Sequence, residues 1–439
     1  MSMTHGQLPE LFIFLTLLFG LSANAQDEST SSRESAVLYL EQAVRVALEN
    51  NPDLESMRAQ SAAMRTLPSQ AGALPDPVLS LNAINLPTDT FNTGQEPMTQ
   101  MQIALSQSIP FPGKRGLKRE AHEHKADASD AMLAERRSSL TGDVRAAWWR
   151  LMYQVRALQI IGQNKVLMRD FVDVAQTKYR VGNGLQQDVL LAQLELSRLL
   201  ERELRLNGSR RSAQAELNAL MGRQPDQPVM LPASPLNVDL PELPTEIALL
   251  QMAGDSRDLI VANRDLVQAA EADLEFARRD RYPDFRLGVA YGFRDGFDPM
   301  RGADRTDLMS VMLSVNIPLY SGAKQSKAVE QRSFEVSRQR FALSDTMRRV
   351  EATVAQNFAE YHAARDQVVL LETAIIPQAQ QTVSSMLAGY QVNEVDFLNV
   401  VNTQITLYNA QINYWESLSR AKQSLARLAS AIGEEALYE

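Results

Sequence analysis

The sequence predicts a mainly α-helical, internally duplicated chain that carries a small membrane-type β part, and three observations predict it. The first is a repeat. Tyr179, Val181 and Gln193 recur 211 residues later as Tyr390, Val392 and Gln404. Leu220 to Gly222 stands opposite Ala431 to Gly433, Ser108 to Pro112 opposite Asn316 to Tyr320, and Leu74 to Pro77 opposite Tyr282 to Phe285. Solenoid repeats run about 20–50 residues, so this longer period marks a duplicated unit that reads helix, strand, strand, long helix, helix. The second observation is helix length: Gly113 to Tyr179 holds no proline over 67 residues, and Gly322 to Tyr390 holds only Pro377. A continuous helix of that length reaches about 100 Å, which implies a coiled-coil-like body rather than a globular core. The third is period-two alternation of apolar and polar residues in four short segments, the pattern of strands with one greasy face.

Taken in order, residues 1–25 read as a secretory signal. Leu11 to Leu21 is apolar but too short to span a bilayer, and Ala23, Asn24 and Ala25 form an A-x-A cleavage site, although no Lys or Arg precedes the run. Cleavage after Ala25 removes Glu10 and takes the net charge from -9 to -8. The first copy then occupies 26–224, a linker with six prolines occupies 225–244, and the second copy occupies 245–439. Ala36 to Gln70 reads as one helix, closed by Pro68, Pro75 and Pro77. In the strand Val78 to Leu86, Leu79, Leu81 and Ala83 alternate with Ser80 and Asn82. After a turn-rich loop from Pro87 to Pro97, Met101, Ile103, Leu105 and Ile109 alternate with Gln102, Ala104, Ser106 and Ser108. In the second copy Phe285, Leu287, Val289, Tyr291 and Phe293 alternate with Arg286, Gly288, Ala290 and Gly292. Met309, Val311, Leu313, Val315 and Ile317 then alternate with Ser310, Met312, Ser314 and Asn316. Along the first long helix Val144, Trp148, Leu151, Val155 and Leu158 step as a narrow coiled-coil seam, with polar residues on the remaining faces.

Composition excludes several functions. The negative net charge argues against a broad grip on nucleic acid. With no cysteine there is no thiol catalysis, thiolate metal site, disulfide or lipid-anchoring cysteine. The four histidines form no nucleophile–base constellation, so no enzyme and no cofactor is expected. No segment after the signal is apolar for 18 residues, which excludes a transmembrane helix but not a transmembrane strand of about 9–11 residues. Four strands cannot close a barrel, and an open edge in lipid leaves backbone groups unpaired at several kcal/mol each. Two chains would give eight strands, whose interior side chains fill. Three give twelve strands around a lumen, which suits the inward Gly, Ser, Ala and Asn residues. The expected assembly is therefore a homotrimer: an α-barrel continued by a shared twelve-strand β-barrel, four strands per chain.

These features together, with Tyr-x-Val-Gly at Tyr179 to Gly182 before the helix start at Asp188 and Leu190, and with Leu407 to Ala410, resemble the TolC-type outer-membrane efflux proteins. The resemblance runs from about Leu38 to Gly433. Ser108 to Arg115 is most similar to the branch that serves cobalt-zinc-cadmium and copper-silver pumps. The resemblance implies an outer-membrane tube with a long periplasmic extension, partnered by a periplasmic adaptor and an inner-membrane pump, with heavy-metal cations as cargo. A conduit for type I protein secretion uses the same kind of tube. A periplasmic coiled-coil scaffold without a pore is the reading from a different class, and the four alternating strands argue against it.

The candidate site is the pair of helix-hairpin tips, Tyr179 to Asp188 and Tyr390 to Asn399. By resemblance they close the periplasmic end and meet the adaptor; as plain turns they need only Gly182 and Gly184. The positions that align with the family's gate aspartates are Asn399 and Asn402, and Val395 stands where the family can place an arginine. Asp396, one turn earlier, would form a ring of carboxylates that favours cations in a trimer, or it serves as a helix N-terminal carboxylate; Asp188 matches in the first copy. His122 and His124 point about 200° apart on a helix and read as a solvated face rather than a metal site. Met98, Met101, Met309 and Met312 are soft-metal ligands by type, but Met101 and Met309 fall on the lipid-facing phase and read as apolar filler. Phe91, Tyr291, Phe293 and Phe297 lie near strand ends, as an interfacial aromatic girdle would.

Overall fold

A computed structural model describes residues 37–392 and 394–438. The signal segment and its cleavage site lie outside these residues. The order helix, helix, strand, strand, long helix, helix occurs twice: α1 (Leu40–Asn50), α2 (Pro52–Gly72), β1 (Val78–Ile84), β2 (Gln100–Ile109), α3 (Lys114–Arg180) and α4 (Gln186–Leu220), then α5 (Glu246–Ser256), α6 (Asp258–Arg279) and β3 (Phe285–Phe293). A two-residue hairpin, β4 (Phe297–Asp298) and β5 (Ala303–Asp304), precedes β6 (Leu308–Val315). The second long helix runs as α7 (Gln325–Leu370), a π turn (Leu371–Ile375) and α8 (Ile376–Gln391), and α9 (Phe397–Ile432) closes the series.

The single leading helix expected over 36–70 is in fact two, and the break has a local cause. The Asn51 side chain accepts from the backbone N–H groups of Asp53 and Leu54, and Pro52 occupies the first helical position, where its missing N–H costs nothing. Asn51 also donates to the Leu220 carbonyl at 2.9 Å, so the break is tied to the end of α4. Pro68 does not close the helix; α2 continues through it to Gly72, because packing along α3 outweighs the roughly 3 kcal/mol a mid-helix proline costs.

The sheet order is β1-β2-β3-β6, antiparallel throughout, and the middle pair joins the two copies. The register puts the apolar residues on one face. Leu79 pairs with Leu105, Leu105 with Val289 and Val289 with Val311; one step along, Leu81, Ile103, Tyr291 and Met309 form a second row. The opposite face carries Ser80, Ala104, Ala290 and Ser310 in one row and Asn82, Gln102 and Gly292 in another. Burial within one protomer is inverted relative to a soluble sheet: Leu81 is 75% exposed and Ala290 6%. Gln107 breaks the apolar phase, and its amide is spent on the carbonyls of Pro75 and Ser108. β1 and β6 each have one free edge in the sheet.

The helices pack sideways as the seam predicts, but the seam is not narrow everywhere. Between Leu140 and Met152, α3 buries nearly its whole circumference, including Val144, Ala147, Trp148, Trp149 and Leu151, because α1, α4 and α9 all meet it there. The proline-rich segment after α4 is also no loose tether. Met230 accepts the Leu38 N–H at 2.8 Å, Pro241 accepts the Tyr361 hydroxyl at 2.5 Å and Asp239 accepts the Lys422 ammonium at 2.6 Å, each through its carbonyl.

The motif from Ser108 to Arg115 is a strand-to-helix clamp. Lys114 is only 4% exposed. Its ammonium donates to the Tyr282 carbonyl and Asp284 at 2.9 Å each and pairs with Asp280 at 3.0 Å. Phe111 stacks on Tyr282 with centroids 4.7 Å apart and gives its N–H to Asp284. Gly113 sits at φ 91°, where a Cβ would fall 2.2 Å from the Arg279 guanidinium. Desolvation would raise the Asp284 carboxyl, but the bonds from Lys114 and Phe111 outweigh it and hold it below the usual carboxylate range.

Candidate functional site

Both tips are short turns between antiparallel helices, built differently. In the first, α3 ends as Gly182 takes φ 78°, with the N–H of Gly182 bonded to the Tyr179 carbonyl and that of Asn183 to the Lys178 carbonyl. A Cβ on Gly184 would lie 2.9 Å from the Lys178 side chain, so the second glycine lets the chain double back. α4 then opens with Asp188 accepting the Leu185 N–H at 3.4 Å, a weak N-terminal cap. In the second tip the turn closes through the Glu394 N–H to the Gly389 carbonyl at 2.9 Å. Val395 folds against Gly389, whose added Cβ would meet it at 2.5 Å. The position where the family can place an arginine is thus used for packing.

The expected site residues fall into two groups. Tyr390 is half-buried and central. It lies against Phe397 at 5.5 Å, which meets Phe171 of α3 at 5.9 Å. The Lys178 ammonium sits 3.8 Å from the centre of the Tyr390 ring and donates to the Tyr390 carbonyl at 3.4 Å. Burial, with help from the Asp188 charge, pushes the Tyr390 phenol above its ordinary value. So Asp188, Lys178 and Tyr390 share one neighbourhood that joins the two hairpins. Tyr179, Asp396, Asn399 and Asn402 are exposed on a single protomer and are not drawn into that cluster. Asp396 is the N-cap residue of α9 but makes no side-chain capping bond; Asn399 gives its backbone N–H to the Asp396 carbonyl.

A buried polar layer above the tips escaped sequence reasoning. The Tyr408 hydroxyl donates to Glu195 of α4 at 2.8 Å, and Gln404 donates to Asn164 of α3 at 2.7 Å. All four are less than a tenth exposed. Desolvation and then the Glu195 hydrogen bond push the Tyr408 phenol up. Arg202 reaches Asn409 at 2.6 Å. The stretch Leu407 to Ala410 therefore holds the second hairpin to the first. Its detectable signal is polar residues at an otherwise apolar helical period, Asn164 and Gln404 above all.

The remaining candidates lie elsewhere. His122 and His124 are half-buried on α3 rather than on a solvated face, and desolvation and then Lys125 lower the His122 pKa. Met101 and Met309 lie on the apolar sheet face beside Phe293 and Tyr291, while Met312 lies on the other face against Gly288. Tyr291 packs edge-on to Phe293 at 4.9 Å and donates to Asp307 at 2.7 Å, near the end of the strands away from the helices. Among the described residues no helix is long and apolar enough to cross a membrane.

Comparison with known proteins adds relatives to this geometry. The family model described as outer membrane efflux protein matches residues 43–223 and 249–434. The chain is 26% identical over 245 residues to protein CyaE of Bordetella pertussis, a match that spans 55% of this chain and 50% of CyaE. It is 24% identical over 412 residues to the cobalt-zinc-cadmium resistance protein CzcC of Cupriavidus metallidurans, covering 91% of each. Its fold matches the outer membrane protein VceC of Vibrio cholerae with a TM-score of 0.74 at 19% identity, covering 91% of this chain and 97% of that one.

Proposed function

The chain belongs to the outer membrane efflux protein family, a family of outer-membrane channels and not of enzymes, and we propose that three copies close into one passive conduit of a tripartite efflux system. The observation that carries this reading is the four-stranded sheet. It has an apolar face broken at Gln107, an opposite face rich in Gly, Ser, Ala and Asn, and two free edges. In lipid those edges need partners, and twelve strands leave a lumen that eight would not. The duplicated units at 26–224 and 245–439, joined across 225–244, would then supply six hairpins to the periplasmic end.

The tips are the proposed meeting point with a periplasmic adaptor, and through it with an inner-membrane pump. Tyr179, Asn399 and Asn402 present polar surface there, while Asp188 and Tyr390 set the contact between hairpins. Heavy-metal cations are the proposed cargo. The support is the match to CzcC along nearly the full length of both chains, whereas the match to CyaE spans half of that protein. The clamp at Lys114 does not bear on cargo, because its role is to join strand and helix.

Native mass measurement in detergent tests the assembly: a trimer is expected, and a stable monomer or dimer would sink the barrel. Fractionation separates the other class, since a scaffold would collect in the soluble periplasm. Deleting the gene and measuring growth on cobalt, zinc, cadmium, copper and silver salts tests the cargo. Unchanged tolerance together with loss of an exported protein would mean secretion instead.

A further inference from the structure

Far from the tips, a cavity of about 400 Å³ opens between the start of α1, the middle of α3, the proline-rich segment and the residues after α9. Its size falls in the range of small-ligand pockets. Tyr39, Trp148, Trp149 and Tyr438 give it aromatic walls, and Arg145 and Lys422 give it two positive charges. Arg145 is 9% exposed and Lys422 2%.

Neither cation has an ion pair among the described residues. The Arg145 guanidinium lies 4.3 Å from the centre of the Tyr438 ring. The Lys422 ammonium lies 5.7 Å from Trp149 and 5.8 Å from Tyr438, and its one hydrogen-bond partner among the described residues is the Asp239 carbonyl. Ring faces and one carbonyl only partly offset the cost of burying two cations. Burial pulls the Lys422 ammonium down to about 8, against the opposing charge of Asp239. Glu41 contributes one exposed carboxylate to the wall, and Asp239 acts on Lys422 from outside it, so neither buried cation has a carboxylate of the lining buried beside it. The Tyr438 hydroxyl accepts from the Trp149 ring N–H at 2.7 Å, which leaves its own proton to donate.

We propose that this cavity binds a small organic monocarboxylate, its carboxylate between Arg145 and Lys422 and its apolar part against Trp148 and Trp149. A single carboxylate can meet both buried cations at once, and a guanidinium offers it paired, directional donors. A flat apolar body fits the aromatic walls.

The test uses the full chain in detergent, titrated with benzoate and with the neutral isostere benzamide by calorimetry and tryptophan fluorescence. Benzoate is expected to bind, quench fluorescence and raise the melting temperature, with benzamide at least tenfold weaker. Arg145→Gln should weaken benzoate tenfold or more. Leu236→Trp, at the largely exposed mouth of the cavity, should do the same by filling it, with circular dichroism and oligomer size unchanged. Equal binding of benzoate and benzamide would overturn the proposal, because the cavity would then read shape alone. So would silence in the intact chain. If benzoate bound only after removal of Glu439, the chain's own carboxylate would be the occupant and the free-ligand site would fall.

Discussion

α3 crosses from the sheet to the first tip as one unbroken helix of 67 residues, whereas its counterpart makes the same journey as α7, a π turn and α8. The cause is Pro377, which has no N–H to donate and crowds the carbonyl one turn back; widening that turn accommodates it. The junctions with the sheet also differ. Lys114, the first residue of α3, is buried and shared by two carboxylates, while the lysine nearest the start of α7, Lys324, is exposed. Within one protomer α7, the π turn and α8 together bury ten of their described residues, while α3 buries 23 of its own. Two copies of one pattern therefore differ in stiffness. The first is a fixed frame, and compliance is concentrated in the second.

The largest expected effect tests the frame. Lys114→Met removes the cation from between Asp280 and Asp284 and should cost about 3 kcal/mol, seen as loss of assembled trimer and a lower melting temperature; Lys324→Met should change neither. Because the Asp284 carboxyl is held below its unfolded value, its contribution is complete above the ordinary carboxylate range. It is lost as pH falls through the depressed folded value, so melting of the wild type should fall steeply in acid and that of Lys114→Met less so. Equal behaviour of the two lysine variants would erase the contrast between the copies.

Next in size is a place where the copies should agree. Leu105→Arg and Leu313→Arg each put a cation on the apolar face near mid-sheet, worth about 2–4 kcal/mol in a bilayer, and should impair assembly alike. Ser310→Arg, on the opposite face across from Ala290, should assemble and narrow the conductance. Ser314 is a poorer control, because it pairs with Arg286 and like charges directly opposite repel. Assembly of all three variants in equal yield would show that the faces are assigned wrongly.

A smaller effect probes the compliance. Pro377→Ala should let the π turn relax to α-helix, raise stability by about 1 kcal/mol and lower the frequency of opening in planar bilayers. An unchanged opening rate would move the flexible point elsewhere.

The smallest effect separates the tips. Asp188→Asn weakens a capping bond and should cost about 0.5 kcal/mol with modest change in selectivity. Asp396→Asn loses no capping bond, so it should leave melting unchanged while reducing cation preference at low salt, where charge in a ring is least screened. If Asp188→Asn alone changed selectivity, the ring would belong to the first hairpin.

Legibility in the sequence followed the range of the interaction. Strand phase was readable because alternation is local, and the register confirms that Leu79, Leu105, Val289 and Val311 share a face. The break at Asn51 and Pro52 carried a local signal, a capping residue before a proline, but Pro68 drew attention as the stronger breaker and proved tolerable under tertiary packing. Lys114 looked like part of a branch motif, since its partners Asp280 and Asp284 lie more than 160 residues away. Glu195 was hidden for the same reason, and Tyr408, although it lies in the Leu407 to Ala410 stretch that carries the resemblance, does not reveal its partner until the two hairpins meet. At the tips, sequence located the turns, but not that Lys178 and Phe171 of one hairpin would hold Tyr390 and Phe397 of the other.

The antiparallel pairing of β2 with β3 has one more consequence. These strands come from different halves of the chain and sit side by side in the sheet, while α3 packs against both α6 and α9. The covalent path from one half to the other runs through Leu236, which is largely exposed. A single peptide-bond cut beside it would leave the interdigitated halves with their shared ladder and packing, so the nicked protein should migrate as one object until denatured. The polypeptide is in effect a heterodimer whose partners happen to be synthesised in tandem, and separately expressed fragments that meet at the membrane should rebuild it.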